Sequence, residues 1–259
     1  MIIYENERFG QNNSLIIWEQ TGSNYPTQHF HRNYELIYVY DGQMSVLLDE
    51  ENLTLGTNEF VLIFPNQIHS FSSEKNTKSK LVIFSPNYIK LFYEEYLNKL
   101  PFNKVFKADD ETRQFIVENL KENSNEYTVK ACLYAICGEI TKQTDFYEIS
   151  TNKNLALTHN FLAYMTVNFT KNITLKDVAA DLGYNHQYLS RYINKRFSMS
   201  FCYILNSYRV DCAIYLLKNT DKSISSIAYD CGFESIRSFN KNFNIITSKS
   251  PREYRKIQY

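Results

Sequence analysis

The sequence predicts an α+β protein of more than one domain: an N-terminal β-barrel or sandwich with following helices, and a C-terminal all-α domain with two helix-turn-helix units. Three observations lead there. Residues 14 to about 84 hold short, closely spaced segments rich in β-branched and aromatic residues, with turn signals between them. From Pro86 the apolar residues recur at helical spacing. Within residues 155–259 one helix–turn–helix pattern occurs twice at a nearly constant offset.

A chain of 259 residues suits about two domains at roughly 100–200 residues each. The start, "MIIYENERFG", has no basic residues followed by an apolar core, so no signal peptide is expected. No run approaches the roughly 18 uncharged apolar residues of a membrane span. The five cysteines are odd in number and form no C-x-x-C pair. They read as reduced, mostly buried thiols, and the expected location is cytoplasmic. The net charge of zero hides an asymmetry. Residues 1–154 carry 14 Lys+Arg and 21 Asp+Glu, net −7; residues 155–259 carry 14 and 7, net +7. A basic half behind an acidic half points to a domain that meets a polyanion.

The strand candidates follow in order: "SLIIWEQ", "YELIYVY", "MSVLLD", "NLTLG", "EFVLIF" and "KLVIF". Asp41-Gly42, Glu51-Asn52, Gly56-Thr57-Asn58 and Pro65-Asn66 separate them as turns. Many short strands with no helix between them imply a sandwich or small barrel. After Pro86, "NYIKLFYEEYLNKL" puts Ile89, Phe92, Tyr93, Tyr96 and Leu97 on one helical stripe. Residues 109–122 form a second helix with Phe115, Ile116 and Leu120 inward, and 126–143 a third with Val129, Leu133, Ile136, Cys137 and Ile140 inward. The first domain is thus placed at 1–145. The polar, non-periodic "TDFYEISTNKN" (144–154) supplies a linker, placed at 146–154, and the second domain covers 155–259.

In the repeat, "LKDVAADLGY" (175–184) matches "ISSIAYDCGF" (224–233) at an offset of 49. After one inserted residue, Leu189, Arg191, Ile193, Ser198 and Ser200 match Phe239, Lys241, Phe243, Ser248 and Ser250 at an offset of 50. Gly183 and Gly232 fall just past a helix end, where φ is positive and a Cβ is penalised. Thr174 and Asp177 have capping-box spacing. Asn185 and Ser235 are placed to cap the second helices. Tyr188, Leu189, Tyr192 and Ile193 are assigned inward in the first copy, Phe239 and Phe243 in the second. His186, Gln187, Ser190, Arg191 and Lys195 are left outside in the first; Ile236, Arg237, Ser238, Asn240 and Lys241 in the second.

Such side chains suit double-stranded DNA. Arg reads guanine, Asn and Gln read adenine, and Lys neutralises phosphate. For one helix a solvated bundle face would explain the same residues. Two copies of like polarity on a basic domain argue for a duplex, with the reading helices about one turn, ~34 Å, apart. The apolar register of "SFCYILNSYRVDCAIYLLKNT" between them predicts a long helix that sets their separation.

The run from about 170 to 256, above all "YLSR", "RV..A..LL", "IA..CGF.S..SFN" and "SP..YR", resembles the DNA-binding domain of AraC/XylS-type transcriptional regulators. The resemblance implies base-reading roles for Gln187, Ser190 and Arg191, and for Arg237, Ser238, Asn240 and Lys241. The chain departs from the family pattern in four places. Ser198 and Ser248 stand where Gly is usual, Asn185 where Ser is usual, and Ile236 at a position that is often polar.

"HFHRNYELIYVYDG", residues 29–42, places His29 and His31 two apart, so on a strand they share one face, with Glu35 close behind. It resembles the first motif of the small cupin barrel that many such regulators carry. "PNQIH", residues 65–69, resembles the second, with a shorter spacing and no Gly. In metal cupins the three histidines and the glutamate bind one divalent ion. In regulators of this family the barrel is commonly a ligand pocket and dimer scaffold. The expectation is therefore a small-molecule effector held by His29, His31, Glu35 and His69, with Trp18, Tyr38 and Phe64 as lining, and with no metal, cofactor or catalysis. The other expected partners are a second copy of the chain, through the helices at 109–143, and RNA polymerase. Two other readings are a metal-dependent cupin enzyme with an appended DNA-binding domain, and a constitutive regulator whose barrel only dimerises.

Overall fold

The computed structural model describes residues 2–5, 15–22, 24–151 and 153–256. The chain divides into two compact units: residues 12–156, and residues 157–259 together with the N-terminal residues up to 11. In chain order the strands are β1 (Ile3–Tyr4), β2 (Leu15–Thr21), β3 (Asn24–Phe30), β4 (Tyr34–Asp41), β5 (Met44–Leu48), β6 (Glu51–Leu55), β7 (Glu59–Ile63), β8 (His69–Ser73) and β9 (Lys78–Phe84). Helix α1 (Lys90–Glu95), strands β10 (Lys99–Pro101) and β11 (Phe106–Lys107), and helices α2 (Asp110–Asn119) and α3 (Glu126–Gln143) complete most of the first unit. Strand β12 (Phe146–Glu148) pairs back antiparallel onto β10.

The first unit is a sandwich. Strands β3, β8, β5 and β6 lie side by side in that order, facing a sheet ordered β11-β7-β4-β9-β2. Alternation along β4 decides what each face does. Ile37 and Val39 join Met44, Val46, Leu48, Val61, Phe71 and Leu81 in an interior core between the sheets. Tyr34, Leu36 and Tyr38 point the other way, into a second core under α1–α3 with Phe60, Phe84, Ile116, Leu133 and Ile140. Burying an aliphatic or aromatic side chain of this size contributes roughly 1.5–3 kcal/mol. Both layers therefore drive this unit.

The helix-side layer also buries a cation. Lys80 Nζ donates to the Leu120 carbonyl at 2.7 Å, just past the end of α2, and pairs with Glu19 Oε1 at 3.1 Å. Burial lowers its pKa, and the Glu19 contact opposes that shift.

Several elements differ from the reading of the sequence. His29 and His31 do not share one strand. His29 lies one residue before the end of β3, His31 stands in the connection, and Glu35 lies on β4. The stretch 144–154 is not a free linker, since Ile149 is buried in the helix-side core and Phe146 packs against it. Leu97 is 51% exposed because α1 stops at Glu95 and Asn98 turns with φ +62°. Phe115 is 38% exposed, on the outer side of α2, whereas Ile116 and Leu120 are buried as read.

The second unit is helical: α4 (Lys153–Asn168), α5 (Leu175–Asp181), α6 (His186–Phe197), α7 (Phe201–Asn219), α8 (Ile224–Asp230), α9 (Ile236–Thr247) and α10 (Pro251–Lys256). Tyr4 belongs to this unit, stacked on Tyr208 at 4.8 Å and donating to Asp211 Oδ2 at 3.3 Å. Arg209 of α7 donates through Nε and an Nη to the carbonyls of Phe169 and Lys171. Its guanidinium lies 5.6 Å from the centre of the Phe233 ring. The centre of α7 thereby holds the α4–α5 connection against the turn after α8.

Among the described residues no helix is long and apolar enough to cross a membrane. The five thiols are free. Four are buried, and Cys202 is exposed. Burial pushes Cys132 up to about 11, so it is no nucleophile at neutral pH.

Candidate functional site

The repeat folds as two copies of one unit. Helices α5 and α8 have seven residues each, and α6 and α9 twelve each. Thr174 and Asp177 form a reciprocal capping box at α5, and Ser223 caps α8. Asn185 Oδ1 accepts from Gln187 and Tyr188 N–H at α6; Ser235 accepts from Ser238 N–H at α9. Gly183 and Gly232 turn each copy with φ +73° and +87°. Leu189, Ile193 and Phe197 of α6 are buried, as are Phe239, Phe243 and Thr247 of α9.

The opposite faces carry the polar set. Gln187, Arg191 and Lys195 of α6 are exposed, with His186 and Ser190 half-buried. Ile236, Arg237, Ser238, Asn240 and Lys241 of α9 are all exposed. At the 50-residue offset these fall into register: His186 with Ile236, Gln187 with Arg237, Ser190 with Asn240 and Arg191 with Lys241. Among the described residues Arg191, Lys195, Arg237 and Lys241 have no carboxylate partner. Their charge is left for an outside anion. Ser238 is held from behind. Asn242 Nδ2 donates to its carbonyl at 2.9 Å and lies 3.4 Å from its hydroxyl, while Asn242 Oδ1 accepts from Asn206 of α7.

One inward assignment fails. Tyr188 is 44% exposed and stands in a stacked row, 5.7 Å from Tyr184 and 6.3 Å from Tyr192 by ring centre. The spacing of four was the available signal, since it places Tyr188 and Tyr192 along one edge of α6, with Tyr184 in the turn just before its cap. Ser198 and Ser248, which replace the usual glycines, adopt left-handed φ of 56° and 57° at the ends of α6 and α9. That conformation costs an L-residue roughly 1–2 kcal/mol, partly offset because glycine is freer when unfolded. Ser198→Gly and Ser248→Gly should each stabilise by about 0.5–1 kcal/mol, several degrees in Tm for a unit of this size. A double variant melting no higher than the parent would contradict this.

The second constellation lies inside the sandwich. Register places His29 opposite His69, and His69 opposite Leu48. Both imidazoles therefore share the inner face of their sheet. Glu35 projects from β4 of the facing sheet, and His31 reaches in from the β3–β4 connection. Glu35 Oε2 lies 3.1 Å from both His31 Nε2 and His69 Nε2. The ring centres of His29 and His69 are 4.1 Å apart. All four side chains are buried. The Nδ1 atoms lie 3.1, 3.1 and 2.9 Å from the carbonyls of Thr27, Asn33 and Gln67 for His29, His31 and His69 in turn.

A surrounding turn fixes these rings. Gln67 Oε1 accepts from Phe64 N–H, Gln67 Nε2 donates to Asp49, and Asn66 N–H donates to the His31 carbonyl. Burial, reinforced by the neighbouring His69, pushes His29 down to about 2. Burial alone would raise Glu35, but the contacts with His31 and His69 outweigh it and hold the carboxyl well below its usual range.

The expected lining residues divide. Trp18 pairs with Leu81 and packs against the interior core, on the same side as Glu35. Tyr38 and Phe64 lie in the helix-side core instead, with Tyr38 donating to Asn58 Oδ1. Tyr38 is therefore removed from the cluster. It is three residues from Glu35, and an odd separation on a strand reverses the face.

Residues 12–155 match the family model described as AraC-like ligand binding domain, and residues 178–257 match a helix-turn-helix domain model. The melibiose operon regulatory protein of Escherichia coli K12 is 23% identical over 255 residues, covering 90% of this chain and 84% of its own length. An uncharacterised HTH-type transcriptional regulator of Staphylococcus aureus is 29% identical over 92 residues, 36% of this chain and 12% of that protein. Among solved structures, ToxT of Vibrio cholerae aligns with TM-score 0.50 at 17% identity, over 95% of this chain and 99% of that one. A fatty-acid-bound form of ToxT gives 0.52 at 18%, over 96% of each chain. These two likenesses show the fold.

Proposed function

Because the chain belongs to the AraC family of effector-responsive, DNA-binding transcriptional regulators, we propose that α6 and α9 enter successive major-groove segments of one duplex. Gln187, Ser190 and Arg191, and Arg237, Ser238, Asn240 and Lys241, face the base edges; His186, Lys195 and Ile236 flank them. The supporting observation is the duplicated outer face, in register at an offset of 50 residues and carrying four cations with no carboxylate partner among the described residues. Helix α7, 19 residues long, spans ~28 Å. It is a rigid spacer of the scale needed for reading helices ~34 Å apart. Ile236 suits a thymine methyl, the one apolar group of the major groove.

In this reading the protein works in the cytoplasm as a homodimer, contacts RNA polymerase when bound, and is not an enzyme. The N-terminal sandwich takes a small-molecule effector that prefers one arrangement of the protein over another. Trp18 is on the effector-facing side.

The test is a footprint of the full-length protein on its own upstream DNA. Two protected major-groove segments about 10 base pairs apart are expected. Affinity should fall steeply with salt, because each neutralised phosphate releases counterion. Absence of protection at low salt, or affinity indifferent to salt, would overturn the reading.

A further inference from the structure

We propose that Asn242 is a positioning residue for base reading. It makes the Ser238 hydroxyl a hydrogen-bond donor toward the duplex, so that α9 rejects cytosine at the base Ser238 meets. The inference rests on the DNA reading above and adds to it the polarity of one contact.

The order of donors and acceptors carries the argument. A backbone carbonyl only accepts, so the Asn242 atom 2.9 Å from the Ser238 carbonyl is its amide nitrogen. The same Nδ2 has a second hydrogen and lies 3.4 Å from the Ser238 hydroxyl oxygen. Toward Asn242 that hydroxyl is therefore an acceptor. Asn242 Oδ1 is turned to α7, where Asn206 Nδ2 donates to it at 3.1 Å. A flipped Asn242 amide would set oxygen against the Ser238 carbonyl and nitrogen against the Asn206 nitrogen. Both contacts oppose the flip, so the amide keeps one orientation. The two asparagines are half-buried where α9 packs on α7.

The serine then has one hydrogen to place. Ser238 is exposed on the outer face of α9, and its backbone N–H is taken by Ser235. Among the described residues nothing accepts from its hydroxyl. The hydrogen is left for what meets the outer face. In the major groove guanine N7 and O6, adenine N7 and thymine O4 accept, whereas cytosine offers only its N4 donor. A serine free to rotate can serve either kind and so discriminates little. One fixed as a donor discriminates.

The first copy also supports its matching position from behind. At the 50-residue offset Tyr188 and Tyr192 stand where Ser238 and Asn242 do. The Tyr192 hydroxyl lies 2.7 Å from that of Thr158 in α4, and the Tyr188 and Tyr192 rings stack at 6.3 Å. Both copies thus link an outward residue, the residue one turn on and a helix behind. The amide relay is the second copy's version of that construction.

The test is a titration of the full-length protein on its footprinted site, each base pair varied in turn through all four. Ser238→Ala identifies the pair that Ser238 reads, as the one whose discrimination falls. At that pair Asn242→Ala should cut discrimination by roughly 3- to 10-fold, the size of one hydrogen bond. Other pairs and unrelated DNA should be bound as by the parent. Asn242→Asp keeps the side-chain shape but cannot donate. It draws the serine hydrogen inward and leaves the oxygen to accept, so preference at that pair should move toward cytosine. Its added charge weakens all sites alike and cancels in the ratio between bases. Melting temperatures show that the variants are folded, and the Asp variant decides alone if Asn242→Ala is not. An unmoved base order in Asn242→Asp, equal losses at every pair, or no pair altered in Ser238→Ala would each overturn the proposal. A footprint absent from the parent protein would instead remove the DNA reading beneath it, so the two failures are distinct.

Discussion

Gly232→Ala should unfold the C-terminal unit at a temperature at least ~10 °C below the parent, whereas Gly183→Ala should cost only a few degrees. The two glycines occupy the same place in the two copies, with similar φ of +87° and +73°. Their surroundings differ. A Cβ at Gly232 would stand 2.5 Å from the Thr170 carbonyl oxygen and 2.7 Å from its Cα. At Gly183 nothing lies within 4 Å. The left-handed backbone costs alanine roughly 1–2 kcal/mol at either site, partly offset because glycine is freer when unfolded, which leaves about 0.5–1 kcal/mol. Only at Gly232 is a backbone clash added. The obstructing segment cannot swing away, because Arg209 holds the carbonyls of Phe169 and Lys171 on either side of Thr170. We expect at least ~3 kcal/mol in total, in the range reserved for named structural defects. At roughly 4–8 °C per kcal/mol for a unit of about 100 residues, the difference is readily seen in a thermal melt. Equal melting temperatures for the two variants would show that the close approach yields.

The joint variant Arg191→Ala/Arg237→Ala should lose most specific DNA binding while keeping the parent Tm. Both side chains are exposed on α6 and α9, and among the described residues neither has a carboxylate partner, so their removal leaves no buried group unsatisfied. A base-reading arginine is worth about 1–3 kcal/mol of affinity. Two on separate helices add approximately, giving about 2–6 kcal/mol, or roughly 30-fold to 10⁴-fold. The measurement is a titration on the footprinted site and on unrelated DNA, at several salt concentrations. A base-reading role predicts a larger loss on the footprinted site than on unrelated DNA. Equal losses on both would reassign the pair to phosphate contacts, and no loss on either would remove them from the interface.

Particular residues show what was legible beforehand. The repeat could be read because every helix in it buries a stripe and shows a polar face, and because caps and turns use residue types that local backbone geometry dictates. Thr174 with Asp177, Asn185, Ser235, Gly183 and Gly232 all act where their chemistry placed them. Strands β3 and β8 were missed. "NYPTQHF" contains a proline and alternates poorly, and "HSFSS" holds only one large apolar residue. Their pairing comes from the sheet around them rather than from their own propensity. Phe115, Leu97 and Tyr188 were placed inward by periodicity alone. Periodicity marks a stripe but not how much of it the neighbouring elements cover.

The amino-acid order by itself determined the two-part architecture, the duplicated DNA-reading unit and the polar face it turns outward, since those depend on contacts within a few residues. Tertiary structure alone decided the histidine cluster. His69 is 34 residues from Glu35 in the chain, and the 3.1 Å between them exists because two sheets pack face to face with fixed register. Packing of distant segments likewise set Thr170 against Gly232 in the helical unit. Local chemistry determines which face a residue can occupy, and only the packing of distant segments determines what meets it there.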